Sequence, residues 1–259
     1  MDYRIVIPAR YASSRLPGKP LLPIAGRPMI LRVWDRAIAC GATSTVIATD
    51  DERIAEVTRS AGAETVMTSP DHPSGTDRLA EVVERLGYAD ETVVVNLQGD
   101  EPLIPPAVPG RLARALLDHP GAGIATMVTP LRSAEDLFDP NVVKVVVRDD
   151  GFAAYFSRAP IPWVRDRFAK GGLASDPLPE GVPFLRHLGL YAYRASTLRR
   201  LVKEPTQPIE EAERLEQLRA LCLGIPIHVS TLVEPPGHGV DTLEDLERVS
   251  RLFAEASSG

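Results

Sequence analysis

The sequence predicts an α/β protein with a mainly parallel, doubly wound sheet. Through residue 128, short apolar runs typical of strands alternate with longer segments that carry the amphipathic pattern of helices. One run, 92–97, is almost continuously apolar, as expected of a central strand buried on both faces. Alternation of this kind produces parallel strands, because each helix crosses a face of the sheet and returns the chain in the same direction.

The elements of the first half have clear boundaries. Pro28 suits the start of the first helix, and Gly41 and Gly62 suit the ends of the first and second helices. The predicted strands are 3–7, 45–48, 64–67, 92–97 and 124–128. The predicted helices are 29–40, 52–61, a segment ending at 86, and 107–117.

The second half has a different pattern. The sequence Asp149-Asp150-Gly151 between two apolar runs, 142–148 and 152–156, predicts a hairpin. Residues 166–183 are rich in Gly, Pro and Ala and predict a mobile loop. The remaining predictions are a strand at 186–193, a helix at 195–202, a long amphipathic helix at 209–223, a strand at 227–232 and a closing helix at 242–253.

Length and composition indicate a soluble protein with one large domain, or one domain with a small lobe. The chain has 259 residues, of which 44% are hydrophobic and 25% charged. It lacks an apolar run of the roughly 20 residues that cross a bilayer, and it shows no signal segment, so we expect a cytoplasmic protein with no membrane partner. Cys40 and Cys222 fit helical patterns and are expected to be buried thiols.

The charge distribution points to a small anionic substrate. A net charge of −6 argues against general nucleic-acid binding. Residues 1–36, however, hold seven Lys and Arg and only two acidic residues, a local net charge of +5 that leaves −11 for the remainder. A local positive field on an acidic protein attracts a small anion.

The loop that follows the first strand carries much of this positive charge. Residues 7–20 hold Arg10, Arg15 and Lys19 at the carboxyl edge of the predicted sheet, where such proteins bind ligands. Fixed cations beside exposed backbone N–H groups suit a polyphosphate. The loop is not a Walker motif, because Pro20 follows Gly18-Lys19, and it is not the G-x-G-x-x-G fingerprint. The alternative is an ordinary basic surface loop.

Two aspartates are candidates for magnesium binding. Asp100 follows the predicted central strand, and Gln98 shares its side of the strand if the extended backbone continues that far. The alternative role for Asp100 is a helix or turn cap. Asp241 precedes the closing helix with Glu244 three residues later, and the local pattern favours an N-cap role for it.

Further polar residues could line a ligand pocket. His187 and Tyr191 share one face of a predicted strand with Gly189 between them, which suits a polar floor for a small ligand as well as a structural role. Arg158 could neutralise an acid group. Ser74 could contact a base or cap a helix. For Glu216 and Gln217 the alternative is solvated surface.

Several blocks of the sequence together resemble the 3-deoxy-manno-octulosonate (Kdo) cytidylyltransferase family. The resemblance covers nearly the whole chain, in the family's order, and departs from it mainly in length around 168–183. The blocks are residues 7–20 (IPARYASSRLPGKP), 74–80 (SGTDRLA), 95–102 (VNLQGDEP), 155–163 (YFSRAPIPW), 186–191 (RHLGLY), 215–219 (LEQLR) and 239–242 (GVDT).

The resemblance implies one Rossmann-like domain of the nucleotide-diphospho-sugar transferase type. It implies a CTP-binding core at about 1–130 and 205–259, a smaller sugar-binding and dimerisation lobe at about 131–204, and a homodimer. The implied reaction converts CTP and Kdo to CMP-Kdo and pyrophosphate for lipopolysaccharide biosynthesis. The implied cofactor is Mg²⁺, and no nucleic acid is involved.

Site residues follow from the resemblance position by position. The implied catalytic residues are Lys19, Asp100 and Asp241, with Asp100 and Asp241 as the magnesium ligands. The implied nucleotide-binding residues are Ala9, Arg10, Ala12, Ser13, Ser14, Arg15, Lys19, Ser74 and Arg78. The implied sugar-acid residues are Gln98, Arg158, His187, Tyr191, Glu216 and Gln217.

Three alternatives remain open from sequence. The first is the same chemistry on another sugar acid, such as 8-amino-Kdo or a sialic-type acid. The second is cytidylyl transfer to a phosphorylated alcohol, which the sugar-acid residues disfavour. The third is a regulatory nucleotide-binding protein, which the presence of both aspartates disfavours.

Overall fold

The structure is a computed structural model that describes residues 1–12, 16–168, 177–237 and 239–257. Three predicted phosphate-loop residues, Ser13, Ser14 and Arg15, lie outside the described residues. The middle of the predicted mobile loop, 169–176, also lies outside them.

The described residues form alternating strands and helices through most of the chain. The strands are β1 (Arg4–Ala9), β2 (Pro23–Ile24), β3 (Arg27–Pro28), β4 (Ser44–Thr49), β5 (Glu64–Met67), β6 (Val93–Asn96), β7 (Ile124–Pro130), β8 (Lys144–Val147), β9 (Ala153–Ser157), β10 (Leu185–Arg194) and β11 (Ile227–Thr231). The α-helices are α1 (Met29–Ile38), α2 (Glu52–Ser60), α3 (Gly75–Arg85), α4 (Ala107–Asp118), α5 (Ala134–Phe138), α6 (Arg165–Phe168), α7 (Ala195–Leu201), α8 (Pro208–Glu213), α9 (Gln217–Cys222) and α10 (Leu243–Ser257). Among the described helices, none combines the length and apolar character that crossing a membrane requires.

The chain divides into two compact units. The first unit comprises residues 1–114, 192–202 and 236–259, and the second comprises residues 115–191 and 203–235. Helix α4 and strand β10 contribute residues to both units. The division into a nucleotide-binding core and a sugar-binding lobe, with its functional labels, stays a prediction.

The first unit is built on a parallel sheet with the strand order β6-β1-β4-β5. Strand β1 runs parallel to β4 from Arg4 opposite Ser44 to Ala9 opposite Thr49, and it also runs parallel to β6. All four residues of β6 are buried, as the continuous apolar run predicts. The carboxyl ends of β1, β4 and β6 therefore open at one edge of the sheet, and the predicted mainly parallel α/β fold is confirmed.

A small apolar cluster fixes the last helix of the first unit. Buried Ile24, Met29, Val240 and Val249 pack together with Leu16, so the β2–β3 hairpin, α1 and α10 share one core. This packing holds the segment just before α10 close to the loop after β1. The two segments carry Asp241 and Lys19, respectively.

The second unit combines a parallel pair with a hairpin. Strands β11 and β7 run parallel from Ile227 opposite Ile124, and β7 neighbours β10 in the sheet. Strands β8 and β9 form the predicted antiparallel hairpin, in which Gly151 adopts a φ of +82° that its turn requires. The hairpin is extended by β10, which pairs with β8 at Arg186 opposite Lys144.

Two sequence predictions are wrong in the second unit. The single helix predicted for 209–223 is two short helices, α8 and α9, because Arg214 ends α8 in the left-handed region at a φ of 53°. The apolar spacing alone does not reveal this break. Cys222 is exposed at the end of α9 and is not a buried thiol, and both cysteines are free.

Candidate active site

Lys19 joins three loops of the first unit at the carboxyl edge of the sheet. Gly18, at a φ of 70°, turns the chain into a short 3₁₀ helix that begins at Lys19. The Lys19 Nζ donates to Asp100 Oδ2 at 2.6 Å, to the Val240 carbonyl at 2.8 Å and to Asp241 Oδ1 at 3.3 Å. The two aspartates predicted from sequence are thus brought together around one ammonium group.

Glu101 adds a third carboxylate that the sequence reasoning missed. Burial, followed by the negative charges of Asp100 and Asp241, raises the pKa of the Glu101 carboxyl to about 7, although Lys19 opposes the shift. Its buried Oε2 atom has no hydrogen-bond partner within the described part of the chain. Its position next to Asp100 was the only signal in the sequence. The cluster holds more negative than positive charge, which favours a bound cation.

The donor set fits magnesium that is completed by a substrate. Mg²⁺ takes one or two carboxylates together with water and phosphate oxygens. Within residues 1–12, 16–168, 177–237 and 239–257, no three His, Cys, Asp or Glu side chains are arranged to hold a metal by themselves. Asp100 and Asp241 therefore match a partial ligand set, which phosphate oxygens and water would have to complete.

A cavity of about 400 Å³ lies beside this cluster in the first unit. Its lining includes Asp100, Asp241 and the predicted sugar-acid residue Gln98. The predicted nucleotide-binding residues in the lining are Ala9, Arg10, Ala12, Lys19 and Ser74. Arg78 is not in the lining.

Arg10 and Arg78 are both held by hydrogen bonds within the first unit. Arg10 donates through Nη2 to the Ser74 carbonyl at 3.0 Å and to the His72 carbonyl, which ties the loop before α3 to the end of β1. Arg78 is fully buried, and its Nη2 donates to Asp50 Oδ2 at 2.6 Å. Ser74 caps α3 by accepting from the Asp77 N–H at 3.3 Å, as the sequence predicts.

The local pattern assigned the wrong residue to the cap of α10. The Thr242 Oγ1 accepts from the Asp245 N–H at 3.1 Å, and the Asp245 carboxylate accepts in return from the Thr242 N–H at 3.1 Å. The N-cap is therefore Thr242, and the N-cap role predicted for Asp241 is wrong. Asp241 lies one residue outside the cap, with its carboxylate on Lys19.

Gly99 lets the loop after β6 approach β1. A Cβ at this position would lie 2.8 Å from the Pro8 carbonyl oxygen, closer than van der Waals contact allows, and the obstacle is backbone. Gly99→Ala should displace Asp100 and destabilise the fold by about 1–3 kcal/mol, the usual cost of overpacking. Urea denaturation and CTP binding measure the two effects. Gly121→Ala is the control, because a Cβ there meets nothing within 4 Å, and equal behaviour of the two variants would contradict the prediction.

In the second unit, His187 is buried in an apolar and aromatic environment. Its Nε2 lies 2.9 Å from the Thr126 Oγ1, and its ring packs edge-on against Phe156 at a centroid distance of 4.9 Å. The centroid of the Tyr191 ring lies 5.4 Å from the centroid of the His187 ring. Burial lowers the pKa of the His187 imidazole to about 3, so the ring is neutral at physiological pH.

This shift makes stability depend on pH. The pKa of His187 in the folded protein lies below the unfolded value of about 6.5. The contribution of His187 to the free energy of unfolding is therefore complete above pH 6.5 and is lost as the pH falls towards 3. At pH 5 the loss is about 2 kcal/mol relative to pH 7.5. Urea denaturation at both pH values should show a smaller pH effect for His187→Gln than for the wild type. Identical pH effects would contradict the burial argument.

Backbone carbonyls hold Arg158 by accepting hydrogen bonds from two of its three guanidinium nitrogens. Its Nε donates to the Glu213 carbonyl at 2.6 Å and its Nη1 to the Pro140 carbonyl at 2.8 Å. The Arg158 N–H also donates to the Glu213 carboxylate at 2.9 Å. Among the described residues, Nη2 has no hydrogen-bond partner, so it is the nitrogen available to an acidic ligand.

The break between α8 and α9 places Glu216 and Gln217 at the start of a helix. A bidentate ion pair between Arg219 and buried Glu210 joins the two helices, with N–O distances of 2.6 and 2.8 Å. Glu216 is exposed, whereas Gln217 is buried. The Gln217 Nε2 is a buried donor without a partner within the described residues. Such a donor normally has a partner, and a bound ligand could supply one.

Comparison with known proteins identifies the class of protein to which this sheet and its lysine–carboxylate cavity belong. A family model described as cytidylyltransferase matches residues 4–227. The chain is therefore a nucleotidyltransferase.

Individual relatives narrow this class. A 3-deoxy-manno-octulosonate cytidylyltransferase of Nitrosococcus oceani is 52% identical over 98% of this chain and 97% of its own length. The proteins of that name from Pseudomonas syringae pv. tomato and Pseudomonas fluorescens are each 54% identical over 97% of this chain and 98% of their own length. A solved CMP:2-keto-3-deoxy-manno-octonic acid synthetase in complex with CTP is 42% identical, with a TM-score of 0.86, and the match covers 98% of this chain and 99% of that one. The chain belongs to the 3-deoxy-manno-octulosonate cytidylyltransferase family.

Proposed function

We propose that this protein transfers the cytidylyl group of CTP to 3-deoxy-manno-octulosonate and releases pyrophosphate. The relatives named for this reaction and the similar structure that contains CTP support the proposal. The observation that carries it is the cluster of Lys19, Asp100 and Asp241 beside a cavity at the carboxyl edge of the sheet.

The triphosphate of CTP binds beside Lys19 in this proposal. Lys19 is one of the cavity residues that can donate a charge-assisted hydrogen bond to a phosphate oxygen. Arg10 holds the loop before α3, and Ala9, Ala12 and Ser74 contribute to the cavity wall. The proposed nucleotide-binding residue Arg78 is paired with Asp50 outside the cavity lining. Roles for Ser13, Ser14 and Arg15 rest on the sequence resemblance alone.

In this proposal Asp100 and Asp241 would hold Mg²⁺ together with oxygens of the substrate. The excess negative charge of the cluster supports this assignment, and the carboxylates of Asp100 and Asp241 add to the burial that raises the pKa of Glu101. When bound, the metal would neutralise phosphate charge and lower the pKa of the attacking hydroxyl. The Lys19 ammonium would donate to the aspartates in the free protein and to the phosphate oxygens when CTP is bound, so it would be paired in both states.

Most of the proposed sugar-acid residues belong to the second unit. The Nη2 of Arg158 binds the carboxylate of the substrate, and the neutral His187 and Tyr191 line the floor. The unpaired Nε2 of buried Gln217 supports a ligand at the start of α9. The remaining proposed sugar-acid residues are Gln98 and Glu216.

The chemistry is an in-line displacement at phosphorus. The anomeric hydroxyl oxygen of the sugar acid bonds to the α-phosphorus of CTP while the bond to the pyrophosphate oxygen breaks. Positioning and charge neutralisation supply most of the catalysis in such transfers. The lysine and the carboxylates are suited to that task, since their geometry is set by backbone and by one another.

We also propose that the protein works as a cytoplasmic homodimer that supplies CMP-Kdo for lipopolysaccharide biosynthesis. The family resemblance supports the dimer and the pathway. The two free cysteines are consistent with a reducing compartment.

Pyrophosphate release tests the proposed function. The purified protein with CTP should release pyrophosphate only when both Kdo and Mg²⁺ are present, and EDTA should stop the release. Release with 8-amino-Kdo but not with Kdo would keep the mechanism and change the substrate. Binding of CTP without release from any sugar acid would overturn the catalytic proposal and favour a regulatory role.

A further inference from the structure

Lys144 is a buried lysine of the second unit for which the proposed reaction gives no role. It begins β8, and its side chain is fully buried, although lysine is rarely inside a protein. In the register of the hairpin it stands opposite Ser157, the residue before Arg158. An ammonium group in this position is costly unless all its donors are paired.

Three backbone carbonyls pair the Lys144 ammonium completely. Its Nζ donates to the carbonyls of Val142 at 2.6 Å, Asp139 at 2.9 Å and Arg158 at 2.6 Å. An ammonium has three donors, so each one has an acceptor. The three acceptors come from the loop after α5, the approach to β8 and the residue that follows β9. Lys144 therefore joins the 139–142 segment to the residue that follows β9 through one group of three donors.

The 139–142 segment also supports the Arg158 guanidinium. The Pro140 carbonyl that receives Arg158 Nη1 is next to Asp139, and Arg158 itself supplies one of the acceptors of Lys144. Glu213 completes the enclosure, since its carboxylate accepts from Ser157 Oγ at 2.6 Å and from the Arg158 N–H at 2.9 Å. Lys144 thus holds the Arg158 carbonyl, Glu213 holds its N–H and Nε, and Pro140 holds its Nη1.

We propose that Lys144 is a positioning residue for sugar-acid binding, which acts through Arg158 and does not touch the substrate. The inference rests on the proposed function, in which the Nη2 of Arg158 binds the carboxylate. Without the ammonium, three carbonyls that converge on one point lose their donor. The segments at 139–142 and at Arg158 then separate, and the guanidinium loses the carbonyl that orients Nη1.

Steady-state kinetics with pyrophosphate release distinguish this role from a purely structural one. Lys144→Met keeps much of the side-chain volume and removes the ammonium. A misplacement of about 1 Å can cost about 10²-fold, and the displacement expected here is smaller. We therefore expect the KM for Kdo to rise about tenfold, with the KM for CTP within about twofold of wild type. Lys144→Gln retains two donors and should give an intermediate KM for Kdo, and it replaces Lys144→Met if that variant does not fold.

Two further variants make the test specific. Thr58→Val removes another fully buried donor to backbone carbonyls, in the first unit, and should lower thermal stability without changing either KM. In an Arg158→Ala background, Lys144→Met should add little to the KM for Kdo, because the residue through which it acts is absent.

The outcomes separate this inference from the proposed function. If Arg158→Ala raises the KM for Kdo and Lys144→Met lowers only the melting temperature, the positioning role is wrong and the proposed function stands. A rise of the KM for Kdo and the KM for CTP by the same factor would also overturn the positioning role and leave the proposed function standing. If Arg158→Ala leaves the KM for Kdo unchanged, the substrate role of Arg158 fails, and the inference fails with it.

Discussion

Asp100→Asn should reduce turnover by about 10³-fold while the protein remains folded. The substitution keeps the shape of the side chain but removes the charge that pairs with Lys19 at 2.6 Å and that, in the proposed site, binds magnesium. Metal-assisted charge stabilisation contributes several kcal/mol, and each 1.36 kcal/mol is a factor of ten in rate. Pyrophosphate release at saturating CTP and Kdo measures the effect, and circular dichroism verifies the fold.

A matched control shows whether the loss is specific to the site. Asp35 is an aspartate of the same unit whose ion pair with Arg27 is solvent-exposed, so Asp35→Asn should cost at most about 1 kcal/mol of stability and leave turnover unchanged. Raising the Mg²⁺ concentration should recover part of the activity of Asp100→Asn if the loss is one of metal affinity. Turnover near the wild-type level in Asp100→Asn would refute the assignment of Asp100 as a metal ligand.

The sequence was sufficient to predict the fold and the loops that carry the cluster. The continuous apolar run at β6 and the punctuating Gly41 and Gly62 report local physics, because burial on two faces and helix termination depend on neighbouring residues. The strand-to-helix loop with Lys19 follows from the same alternation. Asp100 was identified because the carboxyl end of a parallel strand is a place that topology defines.

The features that the sequence did not reveal depend on distant contacts. Apolar spacing continues across Arg214, so the helix break there becomes visible only when the Glu210–Arg219 pair joins two separate helices. The cap of α10 is Thr242 because Asp245 reciprocates, whereas Asp241 is drawn to Lys19, which lies more than 200 residues earlier in the chain. Local rules rank both residues as good caps, and the tertiary contact decides between them.

Lys144 shows the same limit for a buried charge. Within the sequence it is one polar residue at the start of a strand, with nothing to distinguish it from a solvated surface lysine. Its burial is possible because three carbonyls, two from residues 139–142 and one from Arg158, converge on its ammonium. Glu101 is comparable, since its raised pKa arises from burial and from carboxylates that the fold brings near it. Groups whose environment is assembled by the fold cannot be evaluated from composition or spacing.

Lys19→Ala should mainly damage the use of CTP. The ammonium donates to Asp100 and Asp241 in the structure and, in the proposed complex, to the triphosphate. A hydrogen bond to a charged group contributes about 1.5–3 kcal/mol, so we expect the KM for CTP to rise about 10- to 100-fold. The KM for Kdo should change much less. Initial rates of pyrophosphate release, with CTP varied at saturating Kdo and then the reverse, measure both constants.

The effect of Mg²⁺ on the stability of Lys19→Ala tests the metal site without an activity measurement. Without Lys19, the carboxylates of Asp100, Asp241 and Glu101 lose the cation that compensates them, so a divalent cation becomes more important for their stability. We therefore expect Mg²⁺ to raise the melting temperature of Lys19→Ala more than that of the wild type. Lys203→Ala, which removes an exposed lysine, should leave both the KM for CTP and the Mg²⁺ effect unchanged. Unchanged CTP kinetics in Lys19→Ala would refute the phosphate role of Lys19. An equal Mg²⁺ effect on the melting temperatures of Lys19→Ala and the wild type would refute a metal site at the two aspartates, because the Lys19 charge would then not compete with the metal.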